Sequence, residues 1–125
     1  EPSGEAYDRI RANVAHNGLE GVIDVHHASV TAETNPSFTY RDNVTPRVVA
    51  PGDLPDADIY EMECEGAEVP ILEGLTVRPD VLLIETHRNH SEVVALLDTL
   101  DYEIEDAVSD GYNQWEGATH VRAKY

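Results

Sequence analysis

The sequence predicts an α/β protein in which helices alternate with the strands of a layered sheet. Two observations carry that class. Amphipathic segments with helix caps, at residues 3–18 and 91–100, are interleaved with short strand-like runs. Residues 80–85, DVLLIE, are continuously apolar up to their final acid, the pattern of a strand covered on both faces of a parallel sheet. A chain of 125 residues can bury a core without disulfides or a structural metal, so one domain is expected.

Taken in order, the elements follow from local chemistry. Ser3 is an N-cap candidate, the apolar residues Tyr7, Ile10 and Val14 share a helical face, and Asn17-Gly18 supplies a stop. Residues 22–30, VIDVHHASV, alternate like a strand. Residues 37–43 with 45–50 could form a hairpin or two irregular strands. A strand over 58–64 runs into Glu65-Gly66, and a short helix, AEVPILEG, tolerates Pro70 because it lies in the first turn. After the 80–85 strand, Ser91 caps a helix whose apolar side is Val93, Val94, Leu96, Leu97 and Leu100. Terminal strands over 102–108 and 119–123 are joined by the turn-rich loop SDGYNQWEG.

Composition excludes several partners. The net charge of −17 arises from 25 acidic and 8 basic residues, of which only Lys124 is a lysine. Such a field repels nucleic acid and anionic membranes, both of which call for clustered cations. Acids interleaved with periodic apolar residues argue for a folded acidic surface, as in a salt-loving host where ions screen the self-repulsion. The longest apolar run is far too short to cross a bilayer, the N-terminus lacks the pattern of a signal peptide, and a single Cys64 fits a reduced, cytoplasmic protein.

In open α/β sheets ligands bind beyond the carboxyl ends of the strands. Glu63 and Glu65 end one strand, and Glu85, Thr86 and His87 end the next. Were these strands neighbours, carboxylates and an imidazole would converge on one cleft. The cluster could hold a divalent metal, position a hydroxyl or supply a general base. The bland alternative is a solvated acidic face, since 25 of 125 residues are acids. On that alternative the chain is a non-catalytic acidic α/β binding or assembly module. His26 and His27 read as one packed and one exposed residue rather than a metal pair, and Trp115 with Tyr112 as a packed loop or a pocket wall. The Asn43 and Asn89 triplets match a glycan-acceptor pattern, and both are discounted, Ser91 already serving as a helix cap.

The segments EPSGEAYDRIRANVAHNGL, VHHASV, DLPDADIYEMECEGAEVPILEGL and DVLLIETH, in this order, resemble the FkbM-type S-adenosylmethionine-dependent methyltransferases. The resemblance spans roughly residues 1–100, and its most specific pieces are Glu65-Gly66-Ala67-Glu68 and Glu85-Thr86-His87. It implies a partial class I (Rossmann-like) open sheet with flanking helices, mostly parallel with an antiparallel C-terminal hairpin. The activity implied is methylation of a hydroxyl on a small molecule or glycan. Glu1 would accept hydrogen bonds from the cofactor ribose, and His27 and Ala28 would lie near the adenine. Glu63 would belong to the cofactor site, with Glu65 and Glu68 as substrate or metal contacts and Glu85 and His87 as catalytic residues. Family members usually have Lys at the place of Glu61 and Asp at that of Glu63.

No G-x-G turn occurs in the chain. In the family's strand order, 3-2-1-4-5-7-6, the chain would begin after the second strand, as the C-terminal portion of its domain and inactive alone. The strands numbered 3 and 4 would then have free edges, and would either pair with each other or assemble two chains into a homo-oligomer.

Overall fold

The computed structural model describes residues 1–31, 46–109 and 118–125. They fall into two units, Glu1–Ala50 and Pro51–Tyr125. In the first, helix α1 spans Gly4–His16. Ser3 caps it as expected, its Oγ accepting the Ala6 N–H at 3.3 Å, and Gly18 just past the end takes the left-handed φ of 65°. Strand β1 is Ala28–Val30 and pairs in parallel with β2, Arg47–Val49.

The strand expected over 22–30 is thus confined to its last three residues. The N–H groups of Val22 and Ile23 bond back to the Leu19 carbonyl in a turn, and Val22 is 80% exposed. Alternation alone does not make a strand; a partner edge does, and here only 28–30 has one. The 45–50 segment supplies β2, which runs parallel to β1. The rest of that region, residues 37–43, lies outside the described residues.

The second unit holds β3 (Ile59–Glu63), α2 (Glu68–Gly74), β4 (Val81–His87), α3 (His90–Thr99), β5 (Glu103–Ser109) and β6 (Ala118–Lys124). The sheet order is β3-β4-β6-β5, which reproduces the 4-5-7-6 end of the expected order. β3 and β4 are parallel, whereas β6 is antiparallel to both β4 and β5. β3, β4 and β5 therefore run the same way and only β6 is reversed, which is the expected mostly parallel sheet with an antiparallel C-terminal hairpin. Among the described strands β1 bonds to β2 in the first unit, and β3 stands at one edge of the sheet of the second.

β4 is not covered on both faces, contrary to what its apolar run suggested. Leu82, Ile84 and Thr86 are buried and pack with Ile71 and Leu72 of α2, Val93 and Leu97 of α3, and Val121 of β6 in the core. Leu83, on the opposite face, is 37% exposed. The buried Thr86 hydroxyl donates to the Thr119 carbonyl at 2.9 Å, so its polar group is satisfied inside the core. α3 begins one residue before Ser91, with Asn89 rather than Ser91 at the cap position. It ends where Asp101 adopts φ 63° and the Tyr102 N–H reaches back to the Leu97 carbonyl.

Gly74 lets α2 meet the turn that precedes β3. A Cβ placed on it would stand 2.9 Å from Cβ and 3.1 Å from Cγ of Pro51, a rigid ring. Gly74→Ala is therefore expected to destabilise the protein by about 1–3 kcal/mol, overpacking outweighing the helix-propensity gain. Urea unfolding measures this, and a raised midpoint would refute the close contact.

Candidate functional site

Glu63 of β3 stands in register with Glu85 of β4, and Glu85 with His120 of β6. The parallel pairing brings the carboxyl ends of β3 and β4 side by side, as the sequence pattern required for convergence. Both exits use left-handed backbone: Glu65 has φ 52° and Gly66 φ 100° after β3, and Arg88 has φ 65° after β4. Such a conformation is uncommon for residues with a Cβ and needs support from its surroundings.

Glu68, the first residue of α2, supplies that support. It is fully buried. One carboxylate oxygen, Oε1, accepts the Gly66 N–H at 3.0 Å and faces His87 Nδ1 at 3.4 Å; the other, Oε2, accepts from Asn89 Nδ2 at 2.7 Å. Burial works to raise the pKa of this carboxyl. The bonds from Asn89, from the N–H groups of Gly66 and Glu68 itself and from His87 outweigh burial and hold it below the ordinary value. An ionised carboxylate only accepts, so the Asn89 amide must present its nitrogen to Glu68. Its Oδ1 is left buried with no partner among the described residues. The same commitment explains why Asn89, at the cap position of α3, makes no side-chain cap bond.

His87 is enclosed by acids. Its Nε2 lies 3.5 Å from Glu85 Oε1 and 3.7 Å from Glu65 Oε2, and its side chain is 11% exposed. Glu85 in turn has its Oε2 4.0 Å from His120 Nδ1. Glu65 is open to solvent. Next to this group, the uncovered face of the sheet forms a depression of about 300 Å³. Its charged rim includes Glu61, Glu63, Glu85, His120 and Arg122. Cys64, between the two strand-end acids, is half-buried and unpaired, and its thiol is pushed up to about 11 by burial and by Glu68 and Glu63. It is correspondingly inert as a nucleophile near neutral pH.

Glu63, Glu65, Glu68, Glu85 and His87 thus gather at one end of one sheet. Glu1, His27 and Ala28 gather in the other unit. The Ala28 N–H donates to the Glu1 carbonyl at 3.1 Å, His27 Nε2 lies 3.0 Å from the Pro2 carbonyl, and the His27 ring stacks on Tyr7 at 5.2 Å. His27 is half-buried and His26 exposed beside Asp24, one packed and one exposed as expected. Among the described residues no group of three or more His, Cys, Asp or Glu side chains is arranged to hold a metal ion. Trp115, Tyr112 and the Asn43 triplet lie outside the described residues. Asn89 is the site residue that the sequence marked only as part of a glycan-acceptor triplet. Its signal was its position two residues past His87, but only the fold reveals that this turn abuts Glu65–Glu68.

No protein-family model matches the chain, and no curated protein gives a significant match. Among solved structures the chain is similar to a precorrin-6y C5,15-methyltransferase from Geobacter metallireducens GS-15, with a TM-score of 0.55 and 13% sequence identity. The match takes in 100% of this chain and 66% of that one. At this identity the likeness is one of fold: the chain shares the Rossmann-like α/β architecture of that methyltransferase.

Because the folded-state pKa of Glu68 is depressed below 4.5, its contribution to stability is present above about pH 4.5 and is lost as pH falls through the lower folded value. Glu68→Ala, which strands the donors of Gly66 and Asn89, is expected to cost about 3 kcal/mol at neutral pH. The acid limb of its stability curve should also be shallower than that of the parent. Denaturant melts from pH 7 down to pH 3 check both; equal stability at neutral pH would show that the clamp is dispensable.

Proposed function

We propose that this chain is the C-terminal part of an S-adenosylmethionine-dependent methyltransferase of the FkbM type, acting on a hydroxyl of a small molecule or glycan. The carrying observation is that the two most specific sequence pieces, Glu65–Glu68 and Glu85–His87, meet at the carboxyl ends of adjacent parallel strands. That is where α/β sheets of this kind bind ligands. The shared fold with a solved methyltransferase supports the general activity.

Glu1, His27 and Ala28 suit the nucleoside end of the cofactor. The exposed Glu1 carboxylate spends one oxygen on the Ser3 N–H at 2.7 Å and keeps acceptor capacity for a ribose diol. Glu63 would contribute from its own strand end. When bound, the sulfonium cofactor supplies an electrophilic methyl group, which leaves the protein to align the acceptor oxygen and take its proton. Glu85 and His87 are the residues for that step. On this reading the isolated chain is inactive, and the edge of β3 that has no partner among the described strands seats a further strand or a second copy. The protein works in the cytoplasm.

Titration calorimetry tests the reading. S-adenosylmethionine should bind the full gene product, and Glu1→Ala should weaken binding about tenfold or more, as expected for a lost charged hydrogen bond. Absence of binding by the full protein removes the methyltransferase reading and favours a non-catalytic acidic module, for which the open face with Glu61, Glu63 and Glu85 would be the working surface.

The acidic surface also supports an origin in a salt-loving host. Raising ionic strength from about 0.1 M to about 1 M shortens the screening length from about 10 Å to about 3 Å. The melting temperature should rise over that range; a flat or falling profile would count against the halophilic reading.

A further inference from the structure

We infer that Glu68 and Asn89 are positioning residues that fix the tautomer of His87, so that Nε2 is the atom available to take the acceptor's proton. The geometry is a relay of commitments. Asn89 Nδ2 and the Gly66 N–H hold the buried carboxylate, and its Oε1 faces His87 Nδ1. Since an ionised carboxylate offers no proton, the ring nitrogen that bonds to it must carry one. Nε2 is then the basic nitrogen of the neutral ring. It points to the side where Glu65 and Glu85 stand at 3.7 and 3.5 Å, with no hydrogen bond to either. A carboxylate that orients an imidazole through one nitrogen leaves the other with a defined direction and lone pair.

The other charged groups around the ring do not change this assignment. Glu65 is solvated. Glu85 divides its oxygens between His87 and His120. Glu68 alone is sealed from water, where its bonds are not shared with solvent and its orientation is fixed. Glu68 therefore acts through His87 rather than on a ligand. The inference rests on the methyl-transfer reading only for what the base acts on: in that reaction the hydroxyl proton would pass to Nε2 as the oxygen takes the methyl group, the methyl–sulfur bond breaking with its electron pair left on the neutral thioether.

The test is the protonation pattern of His87, read by long-range ¹H–¹⁵N correlation on the chain itself, without cofactor, assigned through His87→Gln. At a pH where the ring is neutral, the proton is expected on Nδ1, with Nε2 showing the shift of an unprotonated nitrogen. Glu65→Gln/Glu85→Gln, which alters only the outer pair, should leave this pattern intact. Glu68→Gln should shift it toward the Nε2–H form. An Nε2–H ring in the parent, a ring still doubly protonated at about pH 8, a pattern altered by the outer double variant, or one unchanged in a folded Glu68→Gln protein would each overturn the inference. Should Glu68→Gln fail to fold, the parent and the outer variant still decide. An Nδ1–H ring in a protein whose full-length form binds no S-adenosylmethionine keeps the positioning and removes the methyl transfer; the opposite pairing does the reverse.

Discussion

The buried carboxylate of Glu68 is the constraint on which the rest of the site depends. A charge removed from water must be met by donors on every side, and here these come from three different places in the chain: the Gly66 backbone, the Asn89 amide and the His87 ring. Because those donors sit after β3 and at the end of and just after β4, satisfying one side chain ties the two strand exits together. The strained backbone at Glu65, Gly66 and Arg88 then becomes tolerable, since its surroundings over-determine it. The orphaned Asn89 oxygen is the residual cost of that arrangement.

The two faces of the second sheet divide the labour. One face is closed by α2 and α3 over Leu82, Ile84 and Val121, and supplies the stability. The other leaves Leu83 partly exposed amid Glu61, Glu63, Glu85, His120 and Arg122. Alternation along β4 carries the division through to its end, so that Glu85 and His87 emerge on the open side while Thr86 is retained in the core. The acids on that face are unlike those of α1, where Glu5 merely pairs with Arg9 along a solvated helix surface.

Much of this was legible from local signals. Ser3 and Gly18 bracket α1 because capping chemistry acts over three or four residues, and Pro70 was correctly read as a first-turn residue of α2. Longer-range features were not legible. The alternation of residues 22–27 resembled a strand yet forms none among the described residues, and the parallel pairing of β2 with β1 had no local signal. The apolar run of β4 correctly marked a strand but overstated its cover, because hydrophobicity reports what a residue tolerates and not which neighbours arrive.

By itself, the sequence determined the α/β alternation, the acidic surface and the placement of Glu63, Glu65, Glu85 and His87 at strand ends, since these follow from periodicity, charge and turn chemistry within a few residues. Only the tertiary structure decided which of the acids in residues 60–74 differs in kind. Glu61, Glu63, Glu65, Glu68 and Glu73 are equivalent by composition, and Glu68 alone is sealed from water and saturated with donors. That difference arises from the parallel register of β3 and β4, which sets Asn89 and His87 beside a residue about twenty positions earlier in the chain. A contact of that separation has no local signature; it exists only once the sheet has formed.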